Sequence, residues 1–220
     1  MISCILLAAG KGQRFGKKKQ YVALGGKPLF LYSIETVKDL FEEVIVVLPP
    51  EDINTVKIPD GIKKVAGGTE RQDSVLNALL ETEAEIVVIH DTARPFATQD
   101  MFRRVSNLEE YDGKIVAIPS RDTLKEVAEN IVIKTIDRSG IWLAQTPQAF
   151  KRKTLIECHF KARNEGFYGT DDASLLERYG YKVGIVEGSF WNFKITFPED
   201  LEIAERFVGG GGGTRTLTGL

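Results

Sequence analysis

Residues 5–21, Ile5-Leu6-Leu7-Ala8-Ala9-Gly10-Lys11-Gly12-Gln13-Arg14-Phe15-Gly16-Lys17-Lys18-Lys19-Gln20-Tyr21, hold the densest chemical information in the chain. A short apolar run reads as a buried strand, and it empties into a loop of small residues, glycines and cations. Small side chains at Ala8, Ala9, Gly10 and Gly12 let backbone approach a ligand closely, and glycine permits the turns this needs. Successive backbone N–H groups in such a turn form an anion-binding concavity. Arg14, Lys17, Lys18 and Lys19 add positive charge at the same place, which suits phosphates. The loop has neither the third glycine of a dinucleotide fingerprint nor the Gly-Lys-Ser/Thr ending of a P-loop. Taken alone, it also fits a solvated basic loop.

Two further stretches carry chemistry. Gly67-Gly68-Thr69-Glu70-Arg71-Gln72-Asp73-Ser74 is a glycine turn opening a helix. Thr69 with Gln72 has capping-box spacing, and a helix start of this kind can also offer backbone donors to a base or phosphate. Then Ile86-Val87-Val88-Ile89-His90-Asp91-Thr92-Ala93-Arg94-Pro95 runs a buried strand out into an acid and an arginine. In open α/β sheets ligands sit beyond the carboxyl ends of strands, which places Asp91 and Arg94 at the pocket. Asp91 has the chemistry to hold magnesium or a ligand hydroxyl. Arg94 suits a phosphate or a brace for Asp91. His90 reads as a packed strand-end histidine, because no nucleophile or metal-site spacing accompanies it.

The elements that must position these groups follow from the alternation of apolar runs with helical patterns, the signature of a mostly parallel sheet with helices on its faces. Strands are expected at 2–7, 43–48, 63–66 (an edge), 114–119, 183–187 and 192–196, the last with Lys194 at its mouth. Helices are expected at 28–37, about 71–80, 98–108, 151–164, 170–179 and 198–208. In the fifth of these, Thr170-Asp171-Asp172 reads as a capped start with dipole-complementing acids. The rhythm breaks at 121–140, where residues 124–127 and 131–136 alternate apolar and polar about Glu129-Asn130. This predicts a two-stranded ribbon arm, marginal by itself and in need of a surface to pack on, such as a second subunit. The fold class is therefore α/β: a Rossmann-like, doubly wound, mostly parallel sheet with a protruding β-ribbon.

A chain of 220 residues suits one substantial α/β domain, here 1–208. Residues 209–220, rich in glycine, read as a flexible tail outside the fold. The net charge of -2 argues against a general nucleic-acid binder, as does the lack of a basic face with interleaved aromatics. Two cysteines make neither a disulfide framework nor a zinc set, and no run is apolar enough to span a membrane, so a cytoplasmic location is expected.

The motifs add up to a resemblance. Leu7 to Arg14 followed by Lys19-Gln20 is similar to the signature of the sugar-phosphate nucleotidylyltransferases. With Gly67-Gly68, Arg71 and Ser74, then His90-Asp91-Thr92-Ala93-Arg94-Pro95, Arg121-Asp122-Thr123, Asp137-Arg138, Gln145-Thr146-Pro147-Gln148, Thr170-Asp171 and Lys194-Ile195-Thr196, the chain resembles the 2-C-methyl-D-erythritol 4-phosphate cytidylyltransferase family over residues 1–208. Where relatives often carry proline before the Lys-Gln pair this chain has Lys18, and Gln20-Tyr21 favours Lys19 as the matching lysine. Where relatives often carry an acid after the glycine pair it has Thr69.

That resemblance implies a reaction in which the phosphate of methylerythritol phosphate attacks the α-phosphorus of CTP and pyrophosphate leaves. It implies Arg14 and Lys19 on the triphosphate, with magnesium or another divalent cation bridging its oxygens and Asp91 as a candidate protein ligand. Lys194 is implied at the incoming phosphate, so Arg14, Lys19, Arg138 and Lys194 form the catalytic set. Ala8, Ala9, Gly10, Gly12, Gly68, Thr69, Arg71 and Ser74 are implied in nucleotide binding. Asp91, Arg94, Thr123, Arg138, Thr170 and Lys194 are implied around the acceptor, Thr123 and Arg138 serving the partner subunit's site in a homodimer joined through the arm. A cytidylyltransferase for ribitol 5-phosphate and a non-catalytic nucleotide sensor are the alternatives.

Overall fold

The computed structural model describes residues 1–10, 12 and 15–209. The expectations for Arg14 and for residues 210–220 lie outside the described residues.

The first apolar run is strand β1 (Ile2–Leu7), and its successors are β4 (Glu43–Leu48), β5 (Lys63–Ala66), β6 (Ile86–Asp91), β7 (Gly113–Pro119), β10 (Trp142–Lys151) and β11 (Val183–Glu187). They form one sheet in the order β11-β7-β10-β6-β1-β4-β5. β1 lies parallel to both β4 and β6, with Leu7 level with Val47 on one side and Asp91 on the other. Because the chain leaves β1 for β4 and β5 and then returns to its other flank as β6, the switch point of the topology falls at β1. β10 runs antiparallel to both its neighbours, while β11 is parallel to β7. This is a mostly parallel α/β sheet, consistent with a Rossmann-like arrangement.

Alternate residues of β1 face opposite layers, as strand geometry requires. Ile5 packs beneath α2 (Arg71–Leu79), α4 (Arg152–Asn164) and α5 (Asp172–Arg178), in a layer that includes Val75, Leu79, Leu155 and Leu176. Cys4 and Leu6 face α1 (Leu29–Val37) and α3 (Gln99–Ser106), with Phe30, Ile34, Phe102 and Val105. Helices thus cover both faces. A third cluster sets α6 (Pro198–Gly209) against Leu24, Leu29 and Ile195. Both cysteines are buried free thiols, one in β1 and one in α4.

The ribbon expected at 124–136 is β8 (Leu124–Ala128) paired antiparallel with β9 (Ile131–Ile136). Glu129 and Asn130, both at positive φ (48° and 64°), turn between them. Among the described residues this pair joins no other strand. Val127, Ile131, Val132 and Ile133 are each more than half exposed.

The structure differs from expectation in three places. Residues 192–196 are not a strand: a single backbone bond, from Ile195 N–H to Ala93 O (2.8 Å), anchors them beside β6. The ten-residue β10 is not predicted by the apolar pattern, and Pro147, which cannot donate to a ladder, sits inside a central strand. The sheet accommodates it with a register shift between Ala144 and Gln148. The small hairpin of β2 (Ala23–Leu24) and β3 (Lys27–Pro28) was also unread, and it places Pro28 just before α1 rather than inside it.

Candidate active site

The carboxyl ends of β1 and β6 and the turn after β5 surround a cavity of about 500 Å³. Of the residues singled out from sequence, Ala8, Ala9, Gly10, Gly12, Lys19, Gly68, Thr69, Arg71, Ser74, Asp91 and Lys194 line it. Phe15, Gln20, Glu70, Thr92 and Thr196 are among the other residues of its walls.

The glycine turns are held by packing as much as by conformation. Gly12 sits at φ 65°, and a Cβ there would lie 1.8 Å from the Lys17 carbonyl oxygen. A Cβ on Gly68 would lie 2.3 Å from that of Asp73, so the turn can approach α2 only as glycine. Two expected backbone readers are already committed. The Ala8 N–H donates to Val47 O (2.9 Å) and the Gly68 N–H to Ser74 Oγ (3.0 Å). Ser74 in turn donates to Glu70 O (3.1 Å). These bonds fix the loop while its residues line the cavity. The helix cap also shifts by one residue: the Glu70 N–H donates to Asp73 Oδ2 (3.1 Å), in place of a Thr69–Gln72 pair. Gln72 instead braces the loop before α5, donating to Phe167 O (3.2 Å) and accepting from Gly169 N (3.0 Å).

The three neighbouring lysines separate cleanly. Lys18 pairs with Glu51 (2.8 Å) and Asp52 (2.7 Å), Lys17 is exposed, and Lys19 turns into the cavity wall. Lys19 Nζ donates to Ile195 O (3.0 Å). That contact and the Ile195 N–H bond to Ala93 fix the segment carrying Lys194.

Asp91 is the electrostatic centre. Its Oδ2 meets Lys194 Nζ at 2.5 Å and its Oδ1 meets Arg71 Nε at 3.3 Å. Burial pushes the carboxyl up, but Arg71 and Lys194 together outweigh burial and hold it well below the usual carboxylate range. Arg71 also reaches Asp172 Oδ2 (2.8 Å), a carboxylate whose side chain is 1% exposed. Asp172 entered the sequence reading only as a helix-start acid. The doublet Asp171-Asp172 was the available signal, because one capping acid suffices and the second is then free to turn inward.

His90 behaves as its sequence position suggests. The Asp91 N–H donates to Thr146 Oγ1 (3.0 Å), and Thr146 lies 3.0 Å from His90 Nδ1. His90 Nε2 lies 3.2 Å from Arg94 O, which can only accept, so Nε2 carries the ring proton and Thr146 donates to Nδ1. Burial pushes the imidazole down to about 4, so it is neutral and structural.

Four expected acceptor residues do not line the cavity. Arg94 is turned to carbonyl oxygens of Asn192 (2.7 Å) and Ala144 (3.3 Å), bracing β10 and the Lys194 segment rather than facing a ligand. Thr123 and Arg138, at the root of the arm, and Thr170, before α5, are exposed. Asp91 does not fit as a magnesium ligand, since each of its oxygens already faces a cation. Among the described residues no cluster of three metal-ligating side chains occurs. No helix among them is long and apolar enough to cross a membrane.

Glycine turns at the switch point, with Lys19, Arg71 and Lys194 around one cavity, define a protein of the nucleotidyltransferase class. The model of the 2-C-methyl-D-erythritol 4-phosphate cytidylyltransferase family matches residues 2–209. The chain belongs to that family. It is 62% identical over 209 residues to the enzyme of that name from Aquifex aeolicus (strain VF5), covering 95% of this chain and 98% of that one. Identity to the Bacillus mycoides (strain KBAB4) enzyme is 40%, covering 94% and 98%. The fold is similar to the crystal structures of 4-diphosphocytidyl-2C-methyl-D-erythritol synthase from Anaerococcus prevotii DSM 20548 (TM-score 0.85, 32% identity, 95% and 96% covered) and of the cytidylyltransferase from Thermus thermophilus (TM-score 0.81, 32% identity, 93% and 98% covered).

Proposed function

We propose that the protein transfers the cytidylyl group of CTP to 2-C-methyl-D-erythritol 4-phosphate, in isoprenoid biosynthesis by the non-mevalonate route. A phosphate oxygen of the acceptor attacks the α-phosphorus, the bond to the bridging oxygen of the β-phosphate breaks, and pyrophosphate departs. The product is 4-diphosphocytidyl-2-C-methyl-D-erythritol. The nucleophile is already an anion, so the reaction needs no strong base and no covalent intermediate. Its barrier lies in bringing two polyanions together and in charge growing on the phosphorus oxygens, which positioning and fixed cations lower.

The observation that carries this reading is the convergence of Lys19, Arg71 and Lys194 on one cavity at the end of β1. We assign Lys19 to the triphosphate and Lys194 to the meeting point of the α-phosphate and the incoming phosphate. Arg14 shares the triphosphate in this reading, on the strength of its motif. Gly10, Gly12, Thr69 and the adjoining backbone form the nucleotide's bed. Magnesium arrives as part of the nucleotide, on the triphosphate oxygens.

The acceptor half of the site is assigned to two chains. Apolar side chains more than half exposed on an isolated ribbon favour a partner surface, and the natural partner is a second copy related by a two-fold axis. In that homodimer Thr123 and Arg138 reach the neighbouring cavity. We take residues 1–208 as one catalytic domain and the cytoplasm as its compartment.

Pyrophosphate release from CTP tests the reading with two acceptors. Methylerythritol phosphate is expected to turn over faster than ribitol 5-phosphate. The reverse order would move the protein to the ribitol reading, and no turnover with either would leave a nucleotide sensor.

A further inference from the structure

The Asp171-Asp172 doublet divides its labour. Asp171 caps α5, accepting from Ser174 N (3.0 Å) and from Gln148 Nε2 (2.9 Å). Asp172 turns the other way, into the protein. A buried carboxylate is expensive unless a cation meets it, and the cation here is Arg71, 2.8 Å away. Burial pushes the Asp172 carboxyl up, but Arg71 together with His159 outweighs it and holds the carboxyl below its ordinary range. Behind it lies His159, equally buried, with Nε2 3.7 Å from Asp172 Oδ1.

A guanidinium is a planar fork, so carboxylates at two of its nitrogens fix its plane. Asp172 takes Nη1 and Asp91 faces Nε; Asp91 in turn holds Lys194. The result is an alternating line of charge from the interior under α4 to the cavity. Gln72 already ties the start of α2 to the 167–169 loop through two hydrogen bonds, independently of Asp172. The start of α2 is thus joined to the loop before α5 by contacts that do not involve Asp172.

We propose that Asp172 is a positioning residue for the transfer step, acting through Arg71 to hold Asp91 and Lys194 in their productive places. This rests on the cytidylyl-transfer reading above. In Asp172→Asn, which keeps the volume and removes the charge, turnover per folded molecule should drop by roughly ten- to a hundredfold, as small misplacements do. The Michaelis constant for CTP should move less than about threefold, because Gly10, Gly12 and Thr69, assigned above as the nucleotide's bed, keep their side chains and packing.

A double-mutant cycle separates this from a merely structural role. In an Arg71→Ala background, adding Asp172→Asn should change turnover less than about twofold, since the path of influence is already cut. Undiminished turnover in folded Asp172→Asn, or fully additive losses in the cycle, would overturn the proposal. Should Asp172→Asn fail to fold, nitrogen NMR of the Arg71 side chain in the substrate-free protein decides instead. Hindered rotation about Nε–Cζ that persists in Asp91→Asn supports the proposal, and free rotation there defeats it. A wild type inactive on both acceptors would sink the functional reading, and the same NMR measurement would still decide whether Asp172 fixes Arg71.

Discussion

The cavity and the arm differ in what they hold in readiness. Around the cavity, Lys194, Asp91, Arg71 and Asp172 hold one another at 2.5–3.3 Å, and the glycine turns are locked by packing. Along the arm, Val127, Ile131, Val132 and Ile133 stand in the open, and Arg138 and Thr123 at its root are exposed. One chain therefore orders the charges around its cavity and leaves the arm residues exposed. Charged groups that must act in a fixed geometry are pre-ordered by a sheet, where reorganisation is costly. Exposed apolar patches of this kind mark surfaces for association.

The sharpest way to break this contrast is at Lys194. Lys194→Ala should lower turnover by roughly a thousandfold, the scale of losing a fixed charge at a transition state, with an unchanged circular dichroism spectrum. Undiminished pyrophosphate release would remove Lys194 from the reaction. Asp91→Asn probes the same network through stability. It leaves Arg71 and Lys194 facing a neutral group, at a cost of about 3 kcal/mol in urea unfolding at pH 7. The sign of its pH dependence follows from a depressed carboxyl. The stabilisation is present at neutral pH and is lost as the pH falls below about 4, where the unfolded carboxylate protonates. The gap between wild type and variant should therefore begin to narrow below about pH 4.

His90 gives a different limb. Its folded value of about 4 lies below the ordinary histidine value, so the unfolded chain binds the extra proton between about 4 and 6.5. Stability should rise with pH across that window, by a total of about 3 kcal/mol from this group. Denaturant midpoints for His90→Gln should be flatter there than those of the wild type. An equal slope would mean that the imidazole charges freely in the folded state.

The arm is tested by complementation. Mixing Arg138→Ala with Lys194→Ala subunits should restore roughly a quarter of wild-type activity, the statistical limit for random exchange in a two-fold dimer. No recovery despite demonstrated exchange would place Arg138 at its own chain's cavity. The smallest effect belongs to the arm's apolar face. Val127→Thr with Ile131→Thr and Ile133→Thr should change single-chain stability by only about 0.5 kcal/mol per site, as exposed positions do. The same triple variant should shift sedimentation from dimer to monomer.

Much of the frame was legible in the sequence. β1, β4 and β6 are continuous apolar runs, as strands covered on both faces must be, and the ribbon declared itself by alternation. The Gly10, Gly12 and Gly68 turns could be placed because glycine at strand ends has few other uses. Other elements were illegible for identifiable reasons. β10 carries Pro147, and its place between β6 and β7 depends on pairing with strands distant in the chain. Residues 192–196 have strand-like composition, but lie beside the end of β6, tied to Ala93 by the Ile195 N–H and assigned to no strand. Arg94 has the type of a phosphate ligand, and only the nearby carbonyls of Asn192 and Ala144 reveal it as a brace.

By itself, the order of residues determined which segments are apolar enough to be strands, where glycine turns follow them, and which cations are available. Those are local properties, set by side-chain chemistry and a repeat of two or of 3.6 residues. Tertiary structure decided which charges meet. Lys18 goes to Glu51 and Asp52 while its neighbour Lys19 enters the cavity, and Asp171 caps a helix while its neighbour Asp172 grips Arg71. Adjacent residues of one type part company because attraction between charges depends on distance through space and on the water between them. Both are settled only when the sheet has brought its strand ends together.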